Sequence, residues 1–238
     1  MLPLILSIVF MALGAICVAL FLVEKLKGYC VKETLIKAVA SLFFIAVAAV
    51  GLHYKGLHIL PLFVTLGLIC GLLGDIWLEL KYVFRQEEKL FTYAGFIAFA
   101  LGHIFYISGM YLEFFKDQNV LFIIIPLVVG VLAGFANLFL SKLMKQDFGE
   151  YKAICVVYGS LLFSMLLVTI SLNIMCKFES VTMIMMLAGG VLFVLSDLIL
   201  SGTYFGQGKD KPFDLISNAV TYYMAQFVIA FSLFFLAQ

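Results

Sequence analysis

Apolar runs long enough to cross a bilayer recur along the whole 238-residue chain, with short polar segments between them. A transmembrane helix needs about 20 consecutive, mostly apolar residues, and eight runs meet that requirement. They cover residues about 2 to 23, 34 to 54, 58 to 80, 91 to 112, 120 to 140, 151 to 173, 181 to 205 and 214 to 236. The sequence therefore predicts an all-α polytopic membrane protein whose eight transmembrane helices form a single domain, residues 1–238.

Composition excludes two other classes of protein. The chain is 65% hydrophobic and 12% charged, whereas soluble domains carry about 25% charged residues. Its net charge of +1 and the lack of a long basic run exclude nucleic-acid binding. The first apolar run lacks the charged start and cleavage pattern of a secretory signal, so we expect a retained helix.

The cysteines and histidines predict neither a metal site nor a cofactor. The five cysteines include no CxxC pair, and the three histidines are too few to complete a typical zinc site. We expect five free thiols.

Basic residues alternate between the two ends of the predicted bundle. Of the 15 Lys and Arg residues, 12 lie in or beside the first, third, fifth and seventh loops, and the other three loops hold one each. Cytoplasmic loops carry the excess of Lys and Arg. The pattern predicts that both termini lie outside the cytoplasm.

Two aspartates interrupt apolar runs and mark the candidate site. Asp75 lies in the third run and Asp197 in the seventh, and both runs would point toward the cytoplasm. An acid at a helix centre costs roughly 2.5 to 3.5 kcal/mol, so such residues are functional candidates by default. We expect both acids in the cytoplasmic half of the bilayer, at a similar depth. Glu79, one turn beyond Asp75, is either a water-exposed interfacial acid or a contact for a cationic head group.

The surroundings of the two aspartates hint at an internal repeat with an offset of 122 residues. That offset also pairs Gly67 with Gly189, Gly74 with Ser196 and Leu78 with Leu200. The hypothesis is two parallel four-helix halves. Glycines at intervals of four or seven predict close helix contacts. These are Gly67 and Gly71, Gly130 and Gly134, and Gly95, Gly102 and Gly109.

Further polar residues within the spanning runs are candidates for substrate binding. They are His103 and Tyr106 in the fourth run, and Asn218, Tyr222, Tyr223 and Gln226 in the eighth. Asn218, Tyr222 and Gln226 are spaced by four and share a helix face, which we expect to point at a polar cavity. Tyr223 lies off that face and is either a packing residue or part of the site. A buried histidine is either a hydrogen-bonded packing residue or a functional one.

A pair of buried carboxylates suits acid-base chemistry. If the two acids lie close together, repulsion between like charges makes them share one proton, so that one is an acid and the other a base. Such a pair suits hydrolysis through an oxocarbenium-like cation. The sequence has no GxSxG nucleophile motif and no His-rich metal motif.

Four ordered motifs resemble the YhhN family of membrane proteins. They are GDIWLEL around Asp75, GFIAFALGHIFYISG around His103, GGVLFVLSDLIL around Asp197 and TYYMAQFVIAFSL in the last run. The resemblance implies an eight-helix fold and hydrolysis of the vinyl ether bond of lysoplasmalogen. The products would be a fatty aldehyde and glycerophospho-ethanolamine or glycerophospho-choline. It also implies that Asp75 and Asp197 are catalytic, and that a lysophospholipid enters from the bilayer.

Two other functions fit the same residues. Paired intramembrane acids also serve as proton relays in transporters, so a proton-coupled transporter of a lipid or small molecule is one alternative. The other is a structural membrane subunit whose acids bind a lysine of a partner protein. Neither the oligomeric state nor the choice of head group follows from the sequence.

Overall fold

The computed structural model describes residues 1–28, 31–56, 58–115, 119–206 and 211–237. In this part of the chain, eight helices are long and apolar enough to cross a membrane, and no strand is present. They are α1 Leu2–Lys25, α2 Val31–Lys55, α3 Ile59–Val83, α4 Glu88–Phe114, α5 Leu121–Leu143, α6 Lys152–Met175, α7 Val181–Phe205 and α8 Pro212–Ser232. The predicted all-α fold and helix count are confirmed.

Helices that follow one another in the chain pack side by side. α1 packs on α2, α2 on α3, α3 on α4, α5 on α6, α6 on α7 and α7 on α8. The first four helices join the last four where α4 packs on α6, and where α8 packs on α1, α2 and α3. α5 contacts mainly α6 and has many exposed apolar side chains, among them Leu132, Phe135 and Phe139. It is therefore an outer helix with a large surface for lipid.

The glycines that the sequence predicts at helix contacts lie where two helices pack closely. A Cβ atom added to Gly130 would lie 2.6 Å from Ser164 Cα, and one added to Gly134 would lie 2.6 Å from the Ser160 amide nitrogen. α5 and α6 thus meet backbone to backbone. The seven-residue series on α4 also faces α3: a Cβ on Gly102 would lie 3.1 Å from the Gly67 carbonyl oxygen, whereas Cβ atoms on Gly95 and Gly109 would meet the side chains of Leu78 and Phe63. The predicted role of these glycines in helix packing is confirmed.

The glycines paired by the 122-residue offset both lie at contacts between consecutive helices. Gly67 on α3 faces Tyr106 on α4, and Gly189 on α7 faces Ile229 on α8. In a duplicated four-helix unit, α3–α4 and α7–α8 would be matching pairs. The contacts agree with that hypothesis, and duplication stays a prediction.

Candidate active site

Asp75 and Asp197 lie at matching positions in their helices. Each aspartate is eight residues before the last residue of its helix, Val83 in α3 and Phe205 in α7. At 1.5 Å per residue, each lies roughly 12 Å from that helix end. Both helices end on the side of the bundle that carries the first, third, fifth and seventh loops. The two acids therefore lie at one depth in the bundle.

A cavity at that end of the bundle reaches both aspartates, and we refer to it as the charged chamber. It is lined by residues of α1, α2, α3, α4, α6, α7 and α8. Its ionisable lining residues are Lys25, Lys37, Asp75, Glu79, Tyr82, Tyr158, Asp197, Tyr204, Tyr222 and Tyr223. The chamber brings together acids that are 122 residues apart in the sequence.

Asp75 is buried and has three donors on two neighbouring helices. Ser41 Oγ on α2 donates to Asp75 Oδ2 at 2.6 Å, and the Tyr222 hydroxyl on α8 donates to the same oxygen at 2.8 Å. Lys37 Nζ on α2 lies 3.3 Å from Oδ1. Three donors, one of them a cation, are the environment expected for an ionised carboxylate.

A chain of hydrogen bonds orients the Tyr222 hydroxyl toward Asp75. The Tyr106 hydroxyl donates to Gln226 Oε1 at 3.0 Å, and Gln226 Nε2 donates to the Tyr222 oxygen at 3.0 Å. Gly71 leaves room for this amide, because a Cβ there would lie 2.7 Å from Gln226 Nε2. Since the Tyr222 oxygen already accepts from Gln226, its own proton is free to point at Asp75.

Glu79 belongs to a buried cluster of ion pairs formed by α1, α2 and α3. Lys25 Nζ and Lys37 Nζ contact Glu79 Oε1 at 2.9 and 2.8 Å. Lys25 Nζ also lies 3.4 Å from Glu33 Oε1. Glu79 is only 4% exposed, so the prediction of a water-exposed interfacial acid is wrong. The reason is that two lysine side chains fold inward and compensate its charge, which lets the carboxylate stay buried.

Asp197 has a different environment from Asp75. In the described part of the chain, its hydrogen-bond donor is the Tyr158 hydroxyl on α6, which binds Oδ2 in a short contact. Neither a Lys nor an Arg forms an ion pair with it there. His103 Nε2 lies 3.4 Å from the same Tyr158 hydroxyl and connects this pair to α4. One neutral donor leaves Oδ1 able to carry a proton.

Aromatic rings separate the two acids from the core of the bundle. Phe99 on α4 packs edge-on against Tyr222 and Phe193, with ring centroids 5.9 and 6.3 Å apart. Gly74 permits this packing, because a Cβ there would lie 2.5 Å from the Phe99 ring. The glycine beside Asp75 therefore lets an aromatic ring close the inner side of the chamber.

The predicted site residues fall into two groups. Those that line the charged chamber are Asp75, Glu79, Asp197, Asn218, Tyr222 and Tyr223. Tyr223 is more than a packing residue, because its hydroxyl lies 3.2 Å from Ser41 Oγ and donates to the Lys37 carbonyl.

Three predicted site residues, His103, Tyr106 and Gln226, are buried behind the lining and reach it through Tyr158 and Tyr222. Asn218 donates to the Ser196 carbonyl and so ties α8 to α7.

Sequence reasoning missed several residues that contact the acids. The alternation of basic loops already accounts for Lys25 and Lys37. Ser41 and Tyr158 lie in apolar runs, where a single hydroxyl does not indicate a site. One signal was present for α2: Glu33, Lys37 and Ser41 are spaced by four and share a helix face. A polar face on a spanning helix indicates contact with other polar groups.

The described residues include no group of three His, Cys, Asp or Glu side chains arranged to hold a metal ion. Four of the cysteines, Cys17, Cys70, Cys155 and Cys176, are free thiols, and Cys30 lies outside the described residues. The chemistry that the chamber offers is that of carboxylates, hydroxyls and ammonium groups.

Comparison with known proteins identifies a family. The model of the YhhN family matches residues 32–233, which include every helix that contributes to the chamber except α1. No curated protein and no solved structure matches the chain. Because the match covers most of the 238 residues, the chain belongs to the YhhN family.

Proposed function

We propose that this protein hydrolyses the vinyl ether bond of lysoplasmalogen within the membrane, with Asp75 and Asp197 as the acid-base pair. The observation that carries the proposal is that one chamber is lined by both acids, held in unlike environments. Asp75 has a cation and two hydroxyl donors, and Asp197 has one neutral donor. Acid-base catalysis needs that asymmetry, because one group must give a proton while the other remains a base.

The difference in contacts supports Asp197 as the acid and Asp75 as the ionised carboxylate. Asp197 gives its proton to the vinyl carbon that is not bonded to oxygen, and the electrons of the double bond form the new C–H bond. The other vinyl carbon becomes an oxocarbenium ion, which ionised Asp75 stabilises. Water adds to that carbon and loses a proton to a carboxylate. The hemiacetal then collapses, its hydroxyl proton leaves, and the glycerol oxygen takes a proton as the aldehyde departs.

The charged chamber also suits the polar part of such a substrate. Lys25 and Lys37 both line the chamber and contact Glu79, so a bound phosphate would share their ammonium groups with that carboxylate, and Glu79 would also face an ethanolamine or choline group. The chamber lies toward the end of the bundle with the basic loops, and the distribution of Lys and Arg predicts that this end is cytoplasmic. The substrate would be a lysophospholipid of that leaflet.

The alternatives receive less support. Transporters of this kind use broken helices at the bilayer midplane, but α3 and α7 run unbroken through both acids. The structural-subunit alternative needs a lysine from a partner, and Asp75 already has Lys37 of its own chain.

Aldehyde release tests the proposal directly. Purified protein in detergent is incubated with lysoplasmalogen, with the matching ester lysophospholipid and with the matching saturated alkyl ether. We expect aldehyde from lysoplasmalogen alone, and one deuterium on the carbon next to the aldehyde group when the reaction runs in heavy water. Release of fatty acid from the ester without aldehyde from lysoplasmalogen would refute vinyl ether hydrolysis.

A further inference from the structure

A second cavity, which we call the apolar groove, adjoins the charged chamber. It lies between α5, α6 and α7, and most of its lining is hydrophobic. Leu162 and Phe163 of α6 face Val194 and Leu198 of α7 across it. Along α7 the lining runs from Val194 to Phe205, a length of roughly 16 Å.

The groove and the chamber meet at Asp197. Both cavities are lined by Phe96, Tyr158, Asp197, Leu200 and Tyr204. On one side of Asp197 lie the lysines and carboxylates of the chamber, and on the other lie the apolar side chains of the groove. Asp197 thus stands at the boundary between a polar and an apolar compartment.

Contacts between the α5–α6 loop and α7 cross the loop end of the groove. Phe148 packs edge-on against Phe205 at 4.9 Å between ring centroids, and Ser201 Oγ donates to Gln146 Oε1 at 2.7 Å. These contacts tie the α5–α6 loop to the end of α7. Leu198 of α7 lines the groove and is 40% exposed, so the groove has a lining residue on the outer surface of the bundle. A lipid from the bilayer would enter past Leu198.

We propose that the apolar groove holds the single hydrocarbon chain of the substrate while the charged chamber holds its glycerol and phosphate. This inference rests on the proposed function. In a lysoplasmalogen, the two vinyl carbons are the first atoms of the hydrocarbon chain and adjoin the glycerol oxygen. The bond to be cleaved thus lies where the chain meets the head group. The acid that protonates it must lie at the same boundary, and Asp197 does.

Gly159 offers a way to narrow the groove without replacing a residue that lines the chamber. It lines the groove, is absent from the lining of the chamber, and a Cβ there would meet nothing closer than 3.7 Å. Gly159→Ala therefore fits, and Gly159→Leu fills part of the groove. Val157→Leu is a matched control, because Val157 lies on the same helix, is 53% exposed and lines neither cavity.

The experiment measures hydrolysis of lysoplasmalogens whose chains range from ten to eighteen carbons. In Gly159→Leu we expect the KM to rise about tenfold for the longest chain and by less for the shortest, because the shortest chain has fewer contacts with the groove to lose. Gly159→Ala shifts the profile in the same direction by less, and Val157→Leu leaves it unchanged. Saturated alkyl ether lysophospholipids with the same chain lengths bind without being hydrolysed. Native mass spectrometry measures how much of each ether lipid is bound by each variant.

The binding series separates this inference from the proposed function. If the unaltered protein releases no aldehyde, the function fails, and the chain-length dependence of ether lipid binding still tests the groove. A binding profile that is the same in Gly159→Leu, Gly159→Ala and the unaltered protein overturns the inference. Displacement of the ether lipid by an equal amount of two-chain phospholipid also overturns it, because the groove would then be a site for ordinary bilayer lipid.

Discussion

Lys37 is the side chain on which the charge balance of the site depends. Its ammonium group lies 3.3 Å from Asp75 and 2.8 Å from Glu79, and the side chain is only 13% exposed. Removing one partner of a buried ion pair leaves an uncompensated charge in a medium of low dielectric constant. Glu79 would keep Lys25, whereas Asp75 would lose the one cation that contacts it among the described residues.

We predict that Lys37→Met lowers the free energy of unfolding by about 3–5 kcal/mol. Adding Asp75→Asn should recover part of that loss, because the amide needs no cation. Unfolding of both single variants and the double variant in detergent gives the coupling energy between the two positions. If the losses of unfolding free energy in the two single variants add up to the loss in the double variant within about 0.5 kcal/mol, the ion pair contributes nothing to stability.

In the proposed reaction, Tyr158 is a positioning residue for Asp197. Its hydroxyl binds Asp197 and lies near His103. Without it the protonated carboxyl group can rotate away from the substrate, and the loss of one hydrogen bond between neutral groups costs about 0.5–1.5 kcal/mol. We predict that Tyr158→Phe lowers kcat for aldehyde release by roughly two- to tenfold and leaves KM nearly unchanged.

The control for that change is Tyr93→Phe, since the Tyr93 hydroxyl donates to the Glu150 carbonyl at the membrane surface. A large rise in KM with kcat retained in Tyr158→Phe would show that Tyr158 binds substrate and does not position Asp197.

The sequence reveals some residues of the site and hides others for a physical reason. Asp75 and Asp197 are recognisable in the sequence because a carboxylate within a membrane span is energetically costly and therefore indicates a function. Lys37 and Tyr158 do not stand out, because Lys and Tyr near a helix end are common where long side chains reach the membrane surface. Only the fold shows that Lys37 points inward to α3, and that Tyr158 of α6 faces α7.

The bounds of the helices are close to those that the sequence predicts. The predicted seventh run, 181 to 205, has the same bounds as α7, while α3 continues to Val83 beyond the predicted end at 80. The difference arises because hydropathy falls at Glu79 and Lys81, whereas backbone hydrogen bonding continues for another turn. The packing partners do not follow from hydropathy, since lipid and helix surfaces are equally apolar.

The α5–α6 pair depends on contact between backbones. We predict that Gly134→Ala lowers the free energy of unfolding by about 1–3 kcal/mol, because the new methyl group meets the Ser160 backbone and no side chain can move aside. Thermal unfolding in detergent provides the measurement. Gly190→Ala is the matched control, since its Cβ would meet side-chain atoms at 3.5 Å or more. Equal stability of the two variants would contradict this account of the pair.

The orientation of the bundle decides which leaflet supplies the substrate. The charged chamber lies toward the end of the bundle that carries the basic loops. We predict that a reporter active only outside the cytoplasm is active when fused to the C-terminus, and that a reporter active only inside is active when fused after Lys142. The opposite pattern would move the chamber to the outer leaflet and contradict the predicted orientation.

Two acids from distant parts of the chain, brought to one depth and one chamber, are the feature on which the proposed chemistry depends. The rate of aldehyde release from lysoplasmalogen by Asp75→Asn and by Asp197→Asn tests it, with Asp147→Asn as the control. Asp147 lies in the α5–α6 loop, and an asparagine there can still accept the bond from the Gly149 amide. Loss of an acid-base group costs about 10²–10⁴-fold in rate. We predict a loss of that size in both chamber variants and an unchanged rate in the control, whereas near-normal turnover in either chamber variant would contradict the acid-base pair.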